Sequence, residues 1–398
     1  MKLDAGKLPP LSLSASLLAA SRNQLPFDLE NPIILHPPLP LRMAPAQMSQ
    51  SSRAVLVVGG CGFLGHHIVK SLLEKKNTLS HHPEISVIDI NTDRNRYDGV
   101  MYHTCDITSL AQVRHVILNV DGTANLLECA KEESSVEVFI YTSSATILRR
   151  KESYMATEDA TSSEVQMSIS RFDPYSGTKG IADTMVLLAN SREPSNEGGL
   201  RTCCLRIGGM YGAGDMTLVW QIFEALRLGQ HHYQIGNGTK RADFLAVENT
   251  AHAHILAMSA LLTGIANPDA PKVDGEGFFI TDDNPMSYWE LRRKLWVYAG
   301  YNQKVEDSKV VPASILMAVA FVLEWVYFIF SFGFKQPQLL RRRKLEWVCL
   351  NRTFDPTKAK ERLGYVPKVL TDDAMKSAAE WALGYQAELG LLVEKKSL

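Results

Sequence analysis

Apolar residues recur along the chain in two patterns. Ala54-Val55-Leu56-Val57-Val58 is an unbroken apolar, β-branched run, the pattern of a strand buried on both faces of a parallel sheet. Gly59-Gly60-Cys61-Gly62-Phe63-Leu64-Gly65 follows, and His66-His67-Ile68-Val69-Lys70-Ser71-Leu72-Leu73 then sets apolar residues at helical spacing. A second strand is predicted over Ile85–Ile88, ending in Asp89, and a third around Met101–Cys105. A helix over Val120–Lys131 and a strand over Val136–Thr142, running into Ser143-Ser144-Ala145, continue the alternation. Such alternation predicts an α/β fold with a doubly wound parallel sheet.

The first turn carries chemistry. In G-x-x-G-x-x-G spacing, Gly59, Gly62 and Gly65 let backbone N–H groups at a helix N-terminus approach a pyrophosphate. A glycine trio alone is equally a tight turn; the second strand adds the context. Asp89 at its end is placed to accept hydrogen bonds from an adenosine ribose, which favours NAD. Arg94 and Arg96 follow closely, either as a solvated loop or as partners for the extra phosphate of NADP.

Tyr175-Ser176-Gly177-Thr178-Lys179 puts a tyrosine and a lysine four apart, on one face of a helix. A free tyrosine titrates near ~10, so about one in a thousand is phenolate at neutral pH. An ammonium within ~4–6 Å favours the anion and lowers that value by ~1–3 units, toward a useful general base. Such pairs are common on surfaces. The serines at the carboxyl end of the Val136–Thr142 strand raise this one, because that rim is where ligands bind in parallel sheets.

Glycine loop, Thr142-Ser143-Ser144-Ala145, Tyr175 and Lys179, in that order, resemble the extended short-chain dehydrogenase/reductase family, with its Rossmann-type sheet. The chain is similar more narrowly to the 3β-hydroxysteroid dehydrogenase branch, and within it to sterol-4α-carboxylate 3-dehydrogenases (decarboxylating). Asn119-Val120-Asp121-Gly122-Thr123, Ile235-Gly236-Asn237-Gly238, Asp243-Phe244, Val247-Glu248-Asn249, Phe279-Ile280-Thr281-Asp282-Asp283, Arg352-Thr353-Phe354 and Leu363-Gly364-Tyr365-Val366-Pro367 carry the narrower likeness. It extends over roughly residues 53–385.

The resemblance implies Tyr175 as acid/base, Lys179 as the residue that orients the nicotinamide ribose and lowers the tyrosine's pKa, and Ser144, with Ser143 as neighbour, as the catalytic serine. It implies Gly59, Gly62, Phe63, Leu64, Gly65, Asp89, Asp106 and Ile107 along NAD, with NADP left open, and no metal. The implied reaction oxidises the 3β-hydroxyl of a 4α-carboxysterol and releases carbon dioxide from the resulting β-keto acid. A sterol substrate, a sterol C-4 demethylation complex and a homodimer are the implied partners. The implied place is the cytoplasmic face of the endoplasmic reticulum membrane. A steroid or triterpenoid dehydrogenase of specialised metabolism and a non-catalytic scaffold paralogue stand as alternatives.

Composition narrows this little. At 398 residues, 45% hydrophobic and net charge −1, the chain has room for a dinucleotide-binding domain over 53–210 and a smaller substrate-binding part over 211–398. Near-neutral charge argues against nucleic acid as partner. Six cysteines without C-x-x-C pairs fit a reducing compartment. His66-His67, His81-His82, His231-His232 and His252-x-His254 lack metal-ligand spacing and are expected on loops or helix surfaces.

Three stretches stand apart. Residues 1–52, rich in Pro, Ser and Leu, read as a disordered extension, with Met43 or Met48 as a natural start for the fold. Residues 310–334 carry Glu324 as their only charge; as one helix they reach ~37 Å, enough for a bilayer core of ~30 Å. Arg341-Arg342-Arg343-Lys344 beyond them favours membrane attachment over a buried helix. Finally, only twelve residues separate Asp106 from Asn119, where a doubly wound half needs a helix, a fourth strand and a cofactor-facing loop. The fourth strand is therefore expected to be missing, through a lost exon or genuine degeneration. Ile207 and Ala213 where relatives place prolines, and Cys105 where they place glycine, are smaller departures.

Overall fold

The structure, a computed structural model, describes residues 54–75, 83–107, 115–148, 152–169, 173–191, 199–304, 308–330, 337 and 342–391. The expected N-terminal extension lies outside them, as do residues 331–334 of the apolar stretch. The chain runs β1 (Ala54–Val58), α1 (Phe63–Lys75), β2 (Glu84–Asp89), β3 (Met101–Thr104), α2 (His115–Glu132), β4 (Val138–Ser144), β5 (Ser153–Ala156) and α3 (Pro174–Leu188). It continues with β6 (Arg201–Ile207), β7 (Gly209–Tyr211), α4 (Val219–Arg227), β8 (Tyr233–Ile235), β9 (Phe244–Ala246), α5 (Val247–Ala266), β10 (Glu276–Ile280) and α6 (Tyr288–Tyr298). Then come β11 (Lys309–Val311), α7 (Ala313–Phe330), α8 (Arg342–Cys349), β12 (Arg352–Phe354), α9 (Thr357–Leu363) and α10 (Thr371–Glu388).

Two parallel three-stranded sheets result, ordered β3-β2-β1 and β4-β6-β10. A doubly wound sheet sets one more strand between β1 and β4, and among the described residues none stands there. β3 ends at Thr104 and α2 already begins at His115, so the interval is as short as the sequence indicated. The cost is visible on β1. Leu56 is 53% and Val58 40% exposed, although alternate side chains of an inner strand are normally covered on both faces.

Helix α5 packs on both half-sheets. Ile255 of α5 packs with Val57, Val69, Leu72, Ile85 and Val87 of the first half. Ala253, Ala257 and Leu261 of the same helix pack with Cys203, Leu205, Ile207, Phe278 and Ile280 of the second. On another side, Leu127 and Ala130 of α2 meet Val186 and Ala189 of α3 above Leu200 and Cys204. A further core joins α4, α6 and α10 through Phe223, Leu295, Trp296 and Met375.

The apolar stretch differs from expectation. Its first residues form β11, which pairs with β8. Pro312 separates strand from helix, having no N–H to give to either. The helix is 18 residues, Ala313–Phe330, about 27 Å long. The histidines differ too: His67, His231 and His254 are buried, because each packs its ring inside the fold.

Candidate active site

The glycine turn joins β1 to α1 at close quarters. Gly59 takes φ +73°, and a Cβ on Gly65 would lie 2.1 Å from the Gly59 carbonyl oxygen, so only glycine lets α1 start this close to β1. Gly59 N donates to Ile88 O at 2.7 Å, which sets the turn against the end of β2. Asp89 is buried there. Its Oδ2 accepts from Cys61 N at 3.0 Å and its Oδ1 from Asn91 N at 3.1 Å. A carboxylate offers about four acceptor positions, so capacity remains for ribose hydroxyls.

Asp106 and Ile107 follow β3 on the same rim, where Cys105 N donates to Asp89 O at 2.9 Å. Asn125 of α2 reaches the Ile107 carbonyl at 2.8 Å. Arg94 and Arg96 are exposed, with the Arg96 guanidinium 4.7 Å from the Tyr102 ring centre. Asn95, between them, was not singled out from sequence. Its Nδ2 donates to Cys61 O at 2.8 Å and fastens this segment to the glycine turn. These bonds gather the glycine turn, Asp89 and the segments after β2 and β3 at one end of the first half-sheet.

The second cluster lies on α3 and β4. Asp173 caps α3, accepting from Ser176 N at 3.1 Å, with Pro174 in the first turn. Gly177 and Gly180 are required because a Cβ there would meet Ser168 O at 2.4 Å and Gln166 O at 2.1 Å. The helix presents Tyr175, 43% exposed, and one turn on Lys179. Lys179 Nζ donates to Thr142 O at 3.0 Å and sits 4.6 Å from the Tyr141 ring centre. Burial pushes its ammonium down to about 8, against the pull of Asp183 and Cys204. Ser144 ends β4 two residues on, and α3 packs against β4 and the turn Ala145–Ile147. Ser144 Oγ lies 2.9 Å from Thr146 Oγ1 and accepts from Thr146 N at 3.2 Å. Ser143 Oγ is buried without a hydrogen-bond partner.

Two supports of this cluster were not legible as such. Thr142 Oγ1 lies 2.7 Å from His254 Nε2, whose Nδ1 donates to Thr250 O at 2.8 Å; burial lowers that imidazole to about 4, so it is neutral. Arg206 of β6 grips Asp183 of α3 in two bonds, 2.8 and 3.1 Å, both side chains buried. The His252-x-His254 pair was the available signal, but its burial depends on the packing of α5.

A small cavity opens at the turn after β4, lined by Ala145, Thr146, Gly208, Asp243, Arg352 and Phe354 among others. Burial pushes the Asp243 carboxyl up to about 7, although Phe354 N donates to it at 2.7 Å. The loop after β7 reaches α1, where Ala213 O lies 3.1 Å from His67 Nε2.

Comparison with known proteins agrees with this layout. The model of the 3-beta hydroxysteroid dehydrogenase/isomerase family matches residues 56–118 and 114–308. Sterol-4-alpha-carboxylate 3-dehydrogenase ERG26, decarboxylating, of Gibberella zeae is 34% identical over 275 residues, 67% of this chain and 84% of that one. The 3beta-hydroxysteroid-dehydrogenase/decarboxylase isoform 1 of Arabidopsis thaliana is 30% identical over 367 residues, 83% of this chain and 80% of that one. Among solved structures, the dTDP-glucose 4,6-dehydratase of Bacillus anthracis in complex with NAD superimposes with TM-score 0.54 at 16% identity, covering 85% of this chain and all of that one. That likeness establishes the Rossmann-type fold.

Proposed function

This chain belongs to the 3-beta hydroxysteroid dehydrogenase/isomerase family, and from that premise we propose that it oxidises the 3β-hydroxyl of a 4α-carboxysterol with NAD(P)+ and releases the 4-carboxylate as carbon dioxide. The observation that carries the reading is the desolvated Lys179 ammonium, one helical turn from Tyr175 and bonded to β4 beside Ser144. The names of the relatives supply the substrate class.

The cofactor fits the residues present. Gly59, Gly62, Phe63, Leu64 and Gly65 border the pyrophosphate, Asp89 takes the adenosine ribose, Asp106 and Ile107 line the rim, and Lys179 takes the nicotinamide ribose. When bound, the nicotinamide supplies the hydride acceptor. Tyr175 removes the proton from the 3-hydroxyl, its phenolate favoured by Lys179. Ser144 donates to the oxygen as it becomes a carbonyl. The product is a β-keto acid, whose C4–carboxylate bond breaks to give carbon dioxide and an enolate. Ser144 and the protonated Tyr175 hold that enolate oxygen, and the proton taken from the hydroxyl is available to quench it.

Asp89 favours NAD; competition between NAD and NADP in the same assay checks that preference against Arg94 and Arg96. A sterol resides in membranes, and the exposed apolar helix α7 beside a basic run supports attachment to the cytoplasmic face of the endoplasmic reticulum membrane. The test is Tyr175→Phe, which removes one hydroxyl from a half-exposed ring. Loss of both NAD reduction and carbon dioxide release, with an unchanged melting temperature, is expected. Full turnover by that variant would sink the mechanism.

The split sheet favours a second reading, a paralogue that keeps the fold and binds cofactor too weakly to turn over. Calorimetric titration of the wild-type chain with NAD separates the two: a micromolar Kd supports the enzyme, and no heat at millimolar NAD supports the paralogue.

A further inference from the structure

Both ends of α7 are sewn into the same folded body. Before it, β11 pairs with β8. After it, β12 pairs with β5, Arg352 N donates to Arg241 O at 2.8 Å and Phe354 N to Asp243. A helix that crosses a bilayer once delivers its ends to opposite sides. A return would need a second crossing, and α8 is eight residues, Arg342–Cys349, with Arg342, Arg343, Lys344 and Glu346 among them. Such a helix is ~12 Å long against a ~30 Å core and too charged to enter it.

The middle of α7 is also tied down. Glu324, its one charge, accepts from Arg342 N at 2.9 Å and from Arg342 Nε at 2.6 Å. The Arg342 guanidinium lies 5.0 Å from the Phe321 ring centre. At ~100° per residue, Ile315, Val319, Val322, Val326, Ile329 and Phe330 share one stripe, and Glu324 falls nearly opposite its centre. Those six are exposed, from 40% at Val326 to 82% at Phe330, and Phe321, Trp325 and Tyr327 on the flanks are exposed as well, whereas Ala320, toward the Glu324 side, is fully buried. The apolar stripe faces outward along the whole helix, and the charge faces the protein.

We propose that α7 lies in the plane of a membrane surface as a monotopic anchor clamped by α8 through Glu324 and Arg342, and does not span the bilayer. The occupant of the stripe is an anionic leaflet. The stripe rests in it to a depth of ~5–10 Å, and the basic run that follows α7 in the sequence, of which Arg342 is held by Glu324, adds the positive charge of Arg341, Arg343 and Lys344. This inference rests on the membrane attachment proposed above and is independent of the reaction assigned to the site.

The test uses the full-length protein with vesicles of phosphatidylcholine, with and without ~30% phosphatidylserine. Flotation with the anionic vesicles, weakened at least tenfold by 0.5 M salt or by Val322→Asp with Val326→Asp, is expected. A protease site inserted within residues 331–341 should be cut on intact microsomes without detergent, as fast as one placed ahead of Ala54. Flotation with that inner site protected until detergent is added means that α7 crosses, which overturns the monotopic reading and leaves attachment standing. Failure to float overturns attachment as well, whatever the activity on detergent-dispersed sterol. A dimer in lipid-free solution that the double variant dissociates, without flotation of the wild type, would assign the stripe to a second copy.

Discussion

Lys179 gives its ammonium hydrogen to the carbonyl oxygen of Thr142, 3.0 Å away, so helix α3 is bonded directly to the strand that ends in Ser144. One contact thereby fixes the distance between two elements that sequence places far apart.

Lys179→Met should lower kcat/KM for a 4α-carboxysterol by on the order of 10²–10⁴-fold. Without the cation the Tyr175 phenolate loses its stabilisation, so the acid limb of the pH profile should move up toward ~10. In the wild type the ammonium itself is lost above about 8, so the lysine's help should fade there. Initial rates from pH 6 to 10 read both effects; an unmoved acid limb would assign Lys179 to cofactor binding alone.

Arg206 and Asp183 form a buried pair that pins α3 to β6. Breaking it from one side leaves an uncompensated buried charge, and Arg206→Met should cost about 3–5 kcal/mol in urea unfolding. Arg206→Met with Asp183→Leu should cost less than the single change. A double variant no more stable than the single one would show that the pair acts through something besides its charges.

Asp243 is held up at about 7 by burial. Its folded pKa exceeds the unfolded value of ~3.9, so between these values the native state binds more protons than the unfolded one and stability falls as pH rises. Asp243→Asn removes that titration and keeps a carbonyl oxygen for Phe354 N. Urea midpoints at pH 5 and pH 8 should converge in the variant relative to the wild type; an unchanged pH dependence would clear Asp243 as its source.

The open flank of β1 makes an unusual contrast within one strand. Leu56→Thr and Val58→Thr should change stability by no more than about 0.5 kcal/mol, as at surface positions. Val57→Ala, one residue between them and 7% exposed, should cost about 2 kcal/mol. Thermal melts of the three variants check this; a large loss at Leu56 would mean that its flank is covered in solution.

Much of this was readable in the chain. The β1 turn, Asp89 at the end of β2 and the Tyr175/Lys179 helix were legible because local rules decide them: glycine spacing, an unbroken apolar run, and a four-residue repeat. The short interval between Asp106 and Asn119 was legible by counting, and the split sheet is its direct result. The rest depends on partners remote in sequence. The burial of His254 requires α5 to lie across both half-sheets, and the clamp on Glu324 comes from Arg342 after the chain has turned back. Asp243 precedes the short strand β9 and Arg352 opens the short strand β12, where composition carries no site signal; only the fold brings them to one cavity with Ala145 and Thr146. Pro312 was in plain view as the break between β11 and α7, but a run dominated by apolar residues obscured the strand before it.

The pairing of β5 with β12 sets an order of events during synthesis. The bond from Met155 N to Thr353 Oγ1 closes across 198 residues, which take about 10–40 s to make at ~5–20 residues per second. Throughout that interval the edge of β5 waits without its partner. α7 leaves the ribosome before β12 does, so an apolar helix is in contact with its surroundings while the cavity that Arg352 and Phe354 line is still unfinished. On the monotopic reading proposed above, a chain made at a membrane surface meets lipid through α7 before β12 closes against β5.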